Sequence, residues 1–112
     1  MKEKIKKIEQ LPAIISTLRS SGKKIVHCHG VFDLLHIGHI KHFNEAKTFG
    51  DILIVSITPD EFVNKGPGRP AFTTSLRLEA LAALEYVDYV VANKWPTAEN
   101  AIQIIKADFY CK

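Results

Sequence analysis
The sequence lacks most of the features that place a protein before its motifs are read. Its apolar runs are short, such as Ile52 to Val55, extended by Ile57. That is far below the roughly 18 residues needed to cross a bilayer, so no transmembrane helix is expected and no membrane partner is read. The charged N-terminus is followed by neither an apolar core segment nor a small-residue cleavage site, which argues against a secretory signal. Cysteine is scarce: Cys28 and Cys111 lie far apart and neither belongs to a C-x-x-C pair. Free thiols in a reducing compartment, the cytoplasm, are expected. Nor is there a basic stripe. The 15 Lys and Arg against 12 Asp and Glu leave a net charge of +3, and the densest basic run, Lys2, Lys4, Lys6 and Lys7, is interrupted by Glu3 and Ile5. Nucleic-acid binding needs concentrated positive charge, so no nucleic-acid partner is read.

What is present fits one ordinary domain. At 112 residues, 46% hydrophobic and 24% charged, the chain is long enough to bury roughly two-thirds of its unfolded surface without disulfides or a structural metal. Residues 1–22 carry Leu11, Ile14, Ile15 and Leu18 at helical spacing, Pro12 near a first turn and Gly22 as a stop, so they read as an N-terminal amphipathic helix. Residues 23–112 alternate strand and helix: a strand over Lys24–Cys28, a helix over Ile37–Phe49, and a buried strand over Asp51–Ile57. A short helix opened by a capping box at Thr58-Pro59-Asp60-Glu61 follows, then a helix over Thr74–Leu84, a strand over Tyr86–Ala92, a helix over Thr97–Lys106 and a strand from Phe109. This alternation predicts an α/β fold with a doubly wound parallel sheet. Ligands bind such sheets beyond the carboxyl ends of the strands, where the strand order reverses.

The chemistry concentrates in Gly30-Val31-Phe32-Asp33-Leu34-Leu35-His36-Ile37-Gly38-His39. A glycine at a strand end lets backbone approach a ligand, and the helix behind it offers unpaired N–H groups and a positive dipole end to phosphate. His36 and His39 are three residues apart across the helix start and face one side, with Gly38 leaving room for a bulky ligand. His36, His39 and Asp33 also form a conceivable zinc set, but no further Cys or Glu stands at suitable spacing, and no metal site is assigned. His29 at the strand end is a candidate substrate contact, whereas His27 reads as packing and His42 as a solvated helix residue. The loop Lys65-Gly66-Pro67-Gly68-Arg69-Pro70 breaks both helix and strand, and Lys65 and Arg69 are candidates to hold a triphosphate. Arg77 is a candidate phosphate clamp or a surface arginine. Asp60 is a candidate sugar-hydroxyl contact or merely a first-turn acid.

The pattern Gly30-x-Phe32-Asp33-Leu34-Leu35-His36-x-Gly38-His39, with Lys41, Ala46-Lys47, Gly50-Asp51 and Thr58-x-Asp60-Glu61-Phe62 behind it, resembles the cytidylyltransferase-like nucleotidyltransferases. Lys65-Gly66-x-Gly68-Arg69-Pro70, Arg77 and Leu81 to Val91 resemble most the adenylyltransferase domain of ADP-heptose synthesis, a step of lipopolysaccharide biosynthesis. Glycerol-3-phosphate cytidylyltransferase follows. The resemblance implies a Rossmann-like nucleotidyltransferase that moves AMP from ATP to a heptose 1-phosphate-like sugar phosphate, or CMP from CTP to a polyol phosphate, with release of pyrophosphate. It implies that magnesium accompanies the triphosphate. His36, His39 and Lys65 are then catalytic. Gly30, Val31, Phe32, Asp33, Gly38, Arg69 and Arg77 bind nucleotide, and Asp60 and His29 contact the acceptor. A homodimer and a fused sugar kinase domain are further expectations.

Two features depart from the family pattern. Its Gly-Asp-type motif after the strand that begins at Phe109, and its later Ser/Thr-rich motif, are missing because the sequence ends at Cys111-Lys112. Truncation at the C-terminus is therefore expected, with a non-catalytic nucleotide-binding module as the alternative. His29 stands where relatives commonly carry Asn, a small residue or an aromatic one, which leaves a different acceptor open.

Overall fold
A computed structural model describes residues 2–63, 66–68 and 70–111. Five strands form one parallel sheet in the order β1-β4-β3-β2-β5: β1 Ile5–Lys6, β2 Ile25–Gly30, β3 Ile52–Ile57, β4 Tyr89–Ala92 and β5 Phe109–Cys111. The connecting helices are α1 Leu11–Ser20, α2 Ile37–Lys47, α3 Thr74–Ala82 and α4 Glu99–Ile105. The architecture is the expected doubly wound, Rossmann-like α/β fold.

Alternate residues of each strand feed opposite faces, as strand geometry requires. Val26, Cys28, Leu53, Val55, Ile57 and Val90 pack against Phe43 and Ala46 of α2 and Leu81 and Ala82 of α3. Ile25, Ile54 and Val91 pack against Leu11 and Ile15 of α1 and Ala101 and Ile105 of α4. β3 is covered on both faces, which explains its nearly unbroken run of apolar residues. The chain winds β2, β3, β4 in one direction, and α4 then carries it back to lay β5 beside β2. The loop after β2 therefore opens where the strand order reverses.

Several boundaries differ from expectation. The N-terminal segment is not all helix: Ile5 and Lys6 pair in register with Val90 and Val91 of β4, and a strand of two residues is too short to show alternation. The capping box at Thr58 does not form. Pro59 precedes a single 3-10 turn, Asp60–Phe62, without a side-chain cap; the Thr58 N–H donates instead to the Gly30 carbonyl at 3.0 Å and its Oγ1 faces His29 Nε2. β4 starts at Tyr89 rather than Tyr86, since Val87 N–H turns back to the Leu84 carbonyl and Asp88 N–H to that of Leu53. Gly66 and Gly68 have φ of +95° and +77° with open space around both, a backbone that favours glycine. The expectations for Lys65 and Arg69 lie outside the described residues.

Candidate active site
The loop after β2 is shaped by a ring folded over a glycine. Phe32 adopts φ +51°, a left-handed conformation that costs a bulky residue about 1–2 kcal/mol. Its ring lies where a Gly30 side chain would go, and a Cβ there would meet Phe32 Cζ at 2.8 Å. The ring also packs edge-on with Phe43 at 5.0 Å and with His39 at 5.7 Å, contacts that offset the strain. The space that the sequence assigned to a ligand at Gly30 is thus filled by Phe32.

The start of α2 is corrected in the same sense. His36 Nδ1 accepts the Gly38 N–H at 3.0 Å, and His39 Nδ1 accepts the His36 N–H at 3.2 Å. The two imidazoles form a reciprocal capping box. Gly38 therefore makes room for the His36 ring and not for a ligand, since a Cβ there would stand 2.7 Å from His36 Cε1. Likewise the Gly38 N–H expected to be unpaired already has a partner. These bonds carry a chemical consequence: a neutral imidazole that accepts through Nδ1 bears its proton on Nε2. Both rings, 4.1 Å apart, thus hold an Nε2–H donor at the positive end of the α2 dipole. Such a cluster suits charge that develops on a phosphoryl group.

Asp33 and Arg77 hold the surrounding segments. The Asp33 carboxylate accepts from Ala71 N–H at 2.7 Å and Phe72 N–H at 2.8 Å, so it fastens a second loop beside the first. Arg77 is not at the surface. Its side chain is 0% exposed. Its guanidinium donates to the carbonyls of Phe72, Val31 and Thr58, to Asp60 Oδ1 at 2.8 Å and to Thr74 Oγ1. Every nitrogen is engaged, and the residue ties four segments together. Asp60 is correspondingly an ion-pair partner of Arg77. Partial burial pushes its carboxyl up, but hydrogen bonds from Thr74 and Arg77 outweigh this and hold it below the usual range.

His29 lies at the end of β2 with Nδ1 2.6 Å from Ser56 Oγ and Nε2 3.4 Å from Thr58 Oγ1. Ser56 also meets His27 Nε2 at 2.7 Å, so a buried chain His27–Ser56–His29 joins β2 to β3. Burial lowers both imidazoles, His27 to about 3. Ser56 and Thr58 were not singled out from the sequence, although Ser56 is the one polar residue within β3. His42 faces Cys28 Sγ at 3.9 Å instead of the capping pair.

Among the described residues no three His, Cys, Asp or Glu gather as a metal site. Magnesium characteristically arrives bound to phosphates and water and needs no such cage.

A family model described as cytidylyltransferase-like matches residues 27–111, which contain the whole arrangement above. The chain belongs to the cytidylyltransferase-like family. The bifunctional protein HldE of Sulfurimonas denitrificans is 44% identical over 110 residues, covering 96% of this chain and 23% of that protein. HldE of Geobacter metallireducens is 41% identical over 105 residues, covering 92% and 21%. The chain thus spans less than a quarter of these curated relatives. Among solved structures, the lipopolysaccharide core biosynthesis protein of Thermoplasma volcanium superposes with a TM-score of 0.73 at 30% identity, covering 80% of this chain and 73% of that one. The family match and the shared fold agree with the resemblance read from Gly30 to His39.

Proposed function
We propose that this domain transfers a nucleotidyl group, AMP from ATP, to a heptose 1-phosphate-like sugar phosphate. An oxygen of the acceptor phosphate attacks the α-phosphorus, the bond to the β-phosphate oxygen breaks, and pyrophosphate leaves. Magnesium enters as part of the triphosphate substrate. The observation that carries this reading is the imidazole pair, fixed by the backbone with both Nε2–H groups at the start of α2. Preorganised donors of this kind stabilise the added charge of the five-coordinate phosphorus without reorganising during the reaction. Arg77, Asp33 and Asp60 hold the loops in place. Lys65 and Arg69 are proposed to steady the β- and γ-phosphates. A cytoplasmic homodimer with a sugar kinase domain in the same polypeptide is part of this reading; likeness to bifunctional relatives supports the second domain.

The description of the matching family model favours a second reading, CMP transfer from CTP to glycerol 3-phosphate or a similar polyol phosphate. Pyrophosphate release with magnesium, offering ATP and CTP separately against heptose 1-phosphate and glycerol 3-phosphate, separates the two. Release with ATP and the heptose phosphate is expected. Release only with CTP selects the second reading, and binding of ATP without release by any pair points to a non-catalytic module.

A further inference from the structure
A cavity of about 580 Å³ lies on the same sheet edge as the histidine pair but at its far side, between the ends of β1 and β4. Lys6 and Lys7 line one wall, Asn93 and Lys94 the other, and Ile8 and Leu78 contribute apolar surface. Two observations point to a ligand. Asn93 is 2% exposed; its Nδ2 donates to the carbonyls of Trp95 and Thr97 at 3.0 and 2.6 Å, yet its Oδ1 has no hydrogen-bond partner. Buried acceptors without a donor are rare and ask for an explanation. The charge of the cavity is also unbalanced. Lys94 is paired with Glu9 across it, whereas among the described residues no ion pair involves Lys6 or Lys7, so two cations face an otherwise neutral space.

We infer that this cavity binds a small phosphorylated polyol such as a sugar phosphate, its phosphate on Lys6 and Lys7 and a hydroxyl donating to Asn93 Oδ1. Cations alone would recognise any anion, and the orphaned acceptor adds the requirement for a hydroxyl. Ile8 and Leu78 suit the C–H face of a sugar. Lys6 and Lys7 precede the part of the chain that the family model matches, so the phosphate half of the site is peculiar to the N-terminal segment. β4 and β2 flank β3, which separates this cavity from the loop after β2 by roughly 10 Å, two strand spacings.

The test is a titration of the ¹⁵N-labelled chain with glucose 1-phosphate, beside inorganic phosphate, glucose and ATP with magnesium. Saturable shifts are expected at the amides of Ile8, Asn93 and Lys94, with inorganic phosphate binding more weakly than glucose 1-phosphate. The double substitution Lys6→Gln, Lys7→Gln should weaken glucose 1-phosphate at least tenfold and leave ATP shifts at Gly38 and His39 unchanged. Equal affinity in the double variant, or shifts confined to other residues, would overturn the site. Only a kinetic arm rests on the nucleotidyl-transfer reading. A phosphate held on Lys6 and Lys7 is too far from the histidine pair to attack there, so the acceptor KM, kcat and the KM for ATP should all stay unchanged in the double variant. Lost binding with an unchanged acceptor KM identifies a separate ligand of the same chemistry. Absent ATP shifts count against the transfer reading and not against this cavity.

Discussion

Where the strands begin, carboxylates are turned onto backbone N–H groups: Asp51 on Lys24 at 2.8 Å, Asp108 on Ile25 at 2.7 Å and Asp88 on Leu53 at 2.7 Å. Where the strands end, the polarity is reversed, and one guanidinium collects the carbonyls of Val31 and Thr58 just beyond β2 and β3. A parallel sheet presents donors needing partners at one edge and acceptors at the other. Acceptor-only aspartates serve the first edge and a donor-only arginine serves the second. The difference lies in what is left over. The starting edge is closed with Lys47 as the partner of Asp88 and Arg19 beside Asp108. The finishing edge keeps two imidazoles whose Nδ1 atoms accept from the backbone N–H groups at the start of α2.

The comparison breaks most readily at Arg77. Replacing it with Ala leaves three carbonyls and Asp60 without their donor and should cost about 3–5 kcal/mol, measured as a lower urea midpoint. Arg77→Lys should recover little, since an ammonium cannot reach acceptors fanned around a planar group. His39→Ala should cut turnover by about 10² or more while the melting temperature stays within a few degrees, because it removes a donor to the transition state. A wild-type rate in that variant would remove the pair from the chemistry. On the opposite edge, Asp88→Ala should reverse the pattern: a stability loss of about 1–3 kcal/mol from the unmet Leu53 N–H, with the rate per folded molecule unchanged. An effect read against pH follows from His27. It is held neutral down to about 3 in the fold against an ordinary 6.5, so the unfolded chain takes up the proton first. Stability should be complete above pH 6.5 and fall by about 1.4 kcal/mol per pH unit as the pH drops toward 3. The lowered His29 acts in the same direction. His27→Gln should flatten part of that slope in pH-dependent urea unfolding.

Most of the layered fold was legible because its signals are local. The unbroken β3, the helical spacing of Phe43 and Ala46, and the Gly-Pro punctuation each report on one element. β1 was not, since its two residues become a strand only by pairing with β4. The site was legible in its membership but less so in its roles. In the sequence Gly30 and Gly38 read as room for a ligand, whereas in the fold that space holds the rings of Phe32 and His36. Residue type predicts a need for room, and only the folded loop shows who takes it. Arg77 has the same lesson: helical spacing placed it on α3, while its direction, inward to the carbonyls, depends on loops distant in sequence. Asn93 gave no signal, because an asparagine after a strand is an ordinary loop residue until its oxygen is found without a donor.

Cys28 and Cys111 stand opposite each other in the β2–β5 pairing. Burial, reinforced by the neighbouring Cys111, raises the Cys28 thiol to about 12. Alkylating reagents attack the thiolate, so at neutral pH this sulfur is nearly silent while the strands are joined. β5 is three residues long, and an opening that lifted it away and uncovered the core around Cys28 would restore ordinary thiol reactivity. The labelling rate of Cys28 is therefore a clock for the opening of that seam, carried by the wild-type chain and readable by mass spectrometry without any added probe.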